Sequence, residues 1–133
     1  MIKLMFTLLL TFSFALSNDY KGFASKMNYH LDYNSALTIA KKEQKELMVV
    51  MVANFCPWCV KFEKLILEKP KYDNKIKSKF IPVILNNEEN NFPDFLKTQI
   101  VPTIYFIDFK NEIIKDKIVG YNNRVDFLNI IDK

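Results

Sequence analysis

The chain has 133 residues and two cysteines, Cys56 and Cys59, which sit three positions apart in the run Cys56-Pro57-Trp58-Cys59. A bridge across so short a span closes almost no loop, so it takes little entropy from the unfolded chain. The pair is poorly placed as a staple and well placed for chemistry. Two thiols this close can cycle between dithiol and disulfide: one attacks a partner's disulfide and the other resolves the mixed disulfide that forms. A structural disulfide, two packed free thiols and half of a zinc site are the rival uses. Zinc takes three or four ligands, and His30 is the one further soft ligand, so no metal is expected. A c-type haem attachment is excluded because Val60, not histidine, follows the second cysteine.

The elements around the pair can be read from apolar spacing. Leu47 to Ala53 is a continuous apolar run rich in Val and Met, which predicts a strand buried on both faces. Cys56 to Leu67 reads as a helix, with Cys59, Phe62 and Ile66 along one face and Lys61, Glu63 and Lys64 largely elsewhere. The first cysteine therefore opens a helix. Unpaired backbone N–H groups and the helix dipole at that end stabilise a thiolate. The second cysteine lies one turn further in and is more sheltered. Pro57 is tolerated there because its missing N–H would be unpaired anyway.

The remaining spacing completes an α/β pattern. Residues 18 to 30 read as a polar lead-in with one short strand around Asn28 to Leu31. Asp32 or Asn34 can cap a helix to about Lys45. A short helix is expected from Tyr72 to Ser78, and a strand from Phe80 to Leu85. Pro82 cannot donate to a ladder, so it belongs at a strand end, a bulge or an edge. A short helix at Phe92 to Lys97, strands at Thr103 to Phe109 and Ile113 to Val119, and a closing helix from about Asn123 to Ile131 follow. Val125, Leu128 and Ile131 are that last helix's expected core positions. This order predicts a mixed central sheet flanked by helices.

Composition bounds the function. Half the residues are hydrophobic and 26% are charged, which is a globular balance at one domain's length. Two glycines leave no Gly-rich phosphate loop. The formal charge is +4, but Arg124 is the one arginine and the lysines are scattered among acids, so the charge reads as a solvated surface and not as a nucleic-acid site. Lys3, the uncharged run Leu4 to Leu16 and Ala15-Leu16-Ser17 have the pattern of a bacterial secretory signal peptide over residues 1–17. The alternative is a retained anchor. The expected destination is periplasmic or secreted, where disulfides persist.

Taken together, Cys56-Pro57-Trp58-Cys59 at a strand-to-helix junction, Val101-Pro102-Thr103 and Gly120 resemble the thioredoxin superfamily over roughly Leu31 to Ile131. Cys59 to Lys64 looks most like its small secreted members and the C-terminal periplasmic domain of the transmembrane thiol-reductant transporter. The resemblance implies a thioredoxin-like fold over 31–133 behind the 18–30 lead-in. It makes Cys56 the nucleophile, Cys59 the resolving cysteine and Cys56–Cys59 a redox-active disulfide. It also implies a cis Pro102 facing the sulfurs, with Val101's backbone free to pair with an extended substrate. Trp58 is expected to contact substrate, and Phe55 to flank the site.

One departure stands out. The family usually buries an aspartate six residues before the first cysteine, and here that residue is Val50. Glu63, four residues beyond Cys59, is the candidate proton acceptor, against the alternative of a plain solvated glutamate. His30 reads as a surface or packing residue.

The expected function is an extracytoplasmic thiol–disulfide oxidoreductase that reduces partner disulfides without a cofactor. The resemblance favours reduction because 60–101 is too short for the helical insertion of the family's oxidase branch. The lead-in is likewise too short for the dimerisation domain of its isomerase branch. Expected partners are cysteine-containing secreted proteins or a membrane thiol-reductant donor. Nucleic acid and stable membrane insertion after signal cleavage are not expected, and the chain is read as a monomer. The rival readings are a non-catalytic binding or chaperone module on the same fold, or a disulfide-donating oxidant.

Overall fold

The computed structural model describes residues 18–133; the expected signal peptide lies outside the described residues. The sheet is built around β1 (Glu46–Val52), which pairs in parallel with β2 (Phe80–Asn86) and antiparallel with β3 (Thr103–Ile107). β3 pairs antiparallel with β4 (Ile114–Val119), giving the order β2-β1-β3-β4. All but the first residue of β1 are buried, because helices cover both sides of it. Leu47, Val49 and Met51 point to one core, and Met48, Val50 and Val52 to the other. This alternation on a wholly apolar run is what a central strand between two helical layers requires.

Helix α2 (Tyr33–Glu43) covers the first face with Tyr33, Ala36, Leu37 and Ala40. The Asp32 carboxylate accepts the Ser35 N–H at 2.7 Å and caps it. The second face is covered by α1 (Tyr20–Met27), α3 (Pro57–Phe62) and α5 (Arg124–Asp132), with Ile76 of α4 (Pro70–Lys79). Its centre is aromatic: Phe62 meets Phe127 edge-on at 5.2 Å, and Phe127 stacks against Phe106 at 6.1 Å. Both cysteines belong to this core.

Several expectations are corrected. Residues 20–27 form a helix, not a polar lead-in. Tyr20, Phe23, Ala24 and Met27 fall at helical spacing and pack into the core beside the cysteines. The strand expected around Asn28 to Leu31 reduces to a single bridge between His30 and Val83. That bridge explains Pro82. The Pro82 carbonyl accepts the His30 N–H, so the proline nitrogen faces the same outer edge of β2 and no donor is missed. The helix expected at Phe92 to Lys97 is a single 3-10 turn, Asp94–Leu96, behind Pro93. β3 stops at Ile107, where its pairing with β4 slips. β4 forms the other edge of the sheet, and Ile114 to Lys117 are exposed.

Val125 does not face the core. It is 60% exposed, whereas Phe127 and Ile131 are fully buried. After Gly120, at φ 80°, a 3-10 turn (Tyr121–Asn123) sets the rotation at which α5 begins, and the four-residue step from Phe127 to Ile131 becomes its inner stripe. Phe127→Ala should therefore lower unfolding free energy by about 3–5 kcal/mol, and Val125→Ala by no more than about 0.5 kcal/mol. Urea unfolding of the two variants checks this, and a larger loss at Val125 would contradict the placement.

Candidate redox site

The site lies where β1 gives way to α3. Cys56 caps α3 and Pro57 occupies its first turn. The two sulfurs are joined as a disulfide, with Cα atoms 5.2 Å apart. Cys56 is 4% exposed and Cys59 is fully buried, so the outer sulfur is the one a partner can approach. The Cys59 N–H donates to the Cys56 sulfur at 3.1 Å. In the reduced state the same N–H faces a thiolate. A charge-assisted hydrogen bond of that kind, at a helix start, favours the ionised sulfur.

Past Phe62 the helix widens into a π-helical stretch, Glu63–Leu67. The Glu63 N–H is shared between the carbonyls of Cys59 and Val60, and the Glu68 N–H reaches back to Glu63. Glu63 is 4% exposed, so it is not the solvated glutamate that was one of its two readings. Four residues at about 100° each bring it within about 40° of Cys59 around the helix, and so onto the inner face. Burial is the main cause that pushes its carboxyl up to about 7, with repulsion from Glu68 and Asp19 adding and Lys64 opposing. Its Oε1 has no hydrogen-bond partner among the described residues. It lines a cleft of about 190 Å³ with Asn18, Asp19, Val60, Lys64 and Glu68, through which water can reach it. Val50, where the superfamily usually has its acid, is fully buried and apolar.

The second loop of the site is Ile100 to Pro102. The Val101–Pro102 peptide is cis and Pro102 is buried. Its carbonyl accepts the Gly120 N–H at 2.8 Å, which ties this loop to the end of β4. The Val101 N–H and C=O bond to no described residue, so both are available to an extended peptide. Trp58, 53% exposed, lines one groove of about 410 Å³ together with Ile100, Val101, Val119 and Tyr121. The structure thus brings Trp58 and Val101 onto a common surface beside the cysteines. Phe55 is 72% exposed at its flank. His30 sits apart, on the outer edge of β2.

Sequence reasoning missed three residues here. Tyr121 stacks on Trp58 at 5.4 Å, Lys61 lies over both rings, and Arg124 lies over Tyr121. The signal available was local: Lys61 follows Trp58 at the three-residue helical step, and Tyr121 follows a glycine already marked by the resemblance. Asn18 was also missed; its N–H donates to the Asn54 carbonyl at 2.7 Å, pinning the chain before α1 to the loop ahead of Cys56. Among the described residues no cluster of His, Cys, Asp and Glu could hold a metal ion.

Comparison with known proteins matches this geometry. A family model for a thioredoxin-like domain covers residues 33–133. Anterior gradient protein 3 of Xenopus tropicalis is 30% identical over 107 residues, which is 78% of this chain and 63% of that protein's length. Among solved structures, a thioredoxin from Thermus thermophilus superposes with a TM-score of 0.65 at 19% identity, over 78% of this chain and 84% of that one. The C-terminal domain of DsbD from Neisseria meningitidis, in its oxidised form, superposes at 0.61 and 14% identity, over 78% and 97%. At those identities the structural likeness is one of fold. With its paired cysteines at the start of α3, its mixed four-stranded sheet and a family match spanning most of its length, the chain belongs to the thioredoxin-like domain family.

Proposed function

We propose that the chain is an extracytoplasmic thiol–disulfide oxidoreductase that reduces disulfides in partner proteins. The observation that carries this reading is the Cys56–Cys59 pair itself: a reachable sulfur at a helix start, facing an N–H, and a second sulfur buried behind it. The Cys56 thiolate attacks one sulfur of the substrate disulfide. A mixed disulfide forms and the substrate's other sulfur leaves as a thiolate. Cys59 then loses its proton and attacks the Cys56 sulfur, and the substrate's second sulfur leaves in turn. The protein dithiol gives up two electrons, the substrate disulfide takes them, and the Cys56–Cys59 bridge seen here is the product state.

Glu63 is the proton acceptor in this reading. It follows Cys59 on the same helix face, its carboxyl lies near neutrality, and its cleft offers a water route to solvent. An extended substrate pairs with the Val101 backbone and rests on Trp58. The extracytoplasmic location rests on the sequence pattern of residues 1–17. The exposed Phe55, Trp58 and Ile100 also suit a peptide-binding module without turnover, and the same assay separates the two.

Insulin reduction should be abolished in Cys56→Ser. Cys59→Ser should accumulate mixed disulfides that non-reducing electrophoresis displays. Turnover that survives in both variants would end the enzymatic reading. Alkylation of Cys56 in the reduced protein should be faster at neutral pH than that of an ordinary thiol, because the helix start and the Cys59 N–H favour the thiolate. The reduction potential of the couple decides direction: a strongly reducing value agrees with electron delivery, and a strongly oxidising one would make the protein a disulfide donor.

Glu63 makes a second, signed prediction. Its carboxyl titrates at about 7 in the folded protein and at about 4.5 in the unfolded one. Between those values the folded state holds the extra proton, so stability falls as pH rises through this window and levels off above it. Glu63→Gln should match the wild type near pH 4.5 and be more stable at pH 8 by about 1–3 kcal/mol, the full shift being reduced by water screening in the cleft. The same variant should resolve mixed disulfides more slowly, on the order of 10²-fold. Equal denaturant midpoints at pH 8 would remove the buried carboxylate from the account, and unchanged resolution would remove it from the mechanism.

A further inference from the structure

Two cations lie over the aromatic rings that line the groove beside the cysteines, Lys61 over Trp58 and Tyr121 and Arg124 over Tyr121. Lys61 holds its ammonium 5.1 Å from the ring centre of Trp58 and 5.4 Å from that of Tyr121. Arg124 holds its guanidinium 4.6 Å from the Tyr121 ring and donates to the Tyr121 carbonyl at 3.4 Å. Among the described residues neither cation reaches a carboxylate, and seven other lysines do. An aromatic face steadies a cation without cancelling its charge. No acidic side chain lines the groove. The chain's one arginine is placed here, and its planar fork is the side chain best matched to a carboxylate.

We propose that Lys61 and Arg124 select polypeptide substrates that carry acidic side chains next to the disulfide cysteine. The proposal rests on the reading of Cys56 as the attacking sulfur and specifies the substrate class at that same site. A peptide extended along Val101 crosses the Trp58–Tyr121 stack, and its neighbouring side chains come within reach of the two cations. Opposite charge at the rim of a binding surface acts chiefly on encounter and register, so the selectivity belongs in the association rate and weakens with salt.

The test uses three otherwise identical peptides with one internal disulfide, flanked by two Glu, two Gln or two Lys residues. Trp58 is the chain's one tryptophan and lies between the two cysteines in the sequence, so its fluorescence follows the reaction by stopped flow. The Glu peptide should be reduced about tenfold faster than the Gln peptide at low ionic strength, and the ratio should shrink in high salt. Lys61→Gln with Arg124→Gln should bring the ratio to about one. Lys41→Gln with Lys42→Gln removes the same charge from exposed positions on α2 and should leave the ratio in place. Equal rates for the three peptides, a ratio that survives the groove variant, or an equal loss in the α2 variant would overturn the proposal. A second arm needs no redox chemistry. Oxidised protein is titrated with the same peptides carrying Ser in place of Cys, and the Glu peptide should bind tightest. Equal affinities overturn the selectivity even if no peptide is ever reduced, whereas ordered affinities without reduction would uphold the selectivity and overturn the enzymatic reading.

Discussion

The hydrogen bond from the Cys59 N–H to the Cys56 sulfur depends on where the polypeptide leaves the sheet. β1 is held between two helical layers, so its end at Val52 is fixed by packing on both faces. The chain then has residues 53–56 in which to turn, and α3 starts at Pro57. Pro57 has the backbone angle of a first helical turn already set and withdraws one competing N–H, which leaves the N–H of Cys59 to meet the sulfur. Phe62, one step further along, anchors the helix to Phe127 and keeps Cys59 sealed beneath. Chemistry at the outer sulfur is thus a consequence of core packing, not of any group aimed at it from a distance.

Glu63 shows the opposing demand. A carboxyl in an apolar helix face raises the free energy of the folded state whenever it is ionised. The cleft it lines with Asn18 and Glu68 lies outside the core around Phe62. At Val50, where the family usually has an acid, the central strand is apolar, and the buried carboxyl near the cysteines lies on their own helix.

Much of this was legible before any coordinates. Leu47 to Ala53 could only be a strand covered twice, and Cys56 could only be a helix start, because apolar runs and helix ends have few physical solutions. Pro82 had to lie at a strand end, a bulge or an edge, and it lies on the outer edge of β2. The failures have equally definite causes. Residues 20–27 were misjudged because their polar residues hid an inner stripe of Tyr20, Phe23, Ala24 and Met27. Glu63 has two readings, off the apolar face by its charge and on the face of Cys59 by its spacing, and its burial agrees with the second. Val125 was misplaced because the rotation of α5 is set by the turn after Gly120, and a turn's geometry does not show in apolar periodicity. Tyr121, Lys61 and Arg124 meet only in three dimensions, from the 3-10 turn, α3 and α5.

The β4 edge has a consequence of its own. The loop at Val101 offers bare main-chain groups to a passing extended chain, and any sheet edge makes the same offer. β4 answers it with Lys115, Asp116 and Lys117 in a row, with Lys115 paired to Glu46 across the sheet and Lys117 lying over Tyr105. A neighbouring strand docking there would have to strip water from all three charges. Charge along this margin discourages fibre-like stacking of one copy on another.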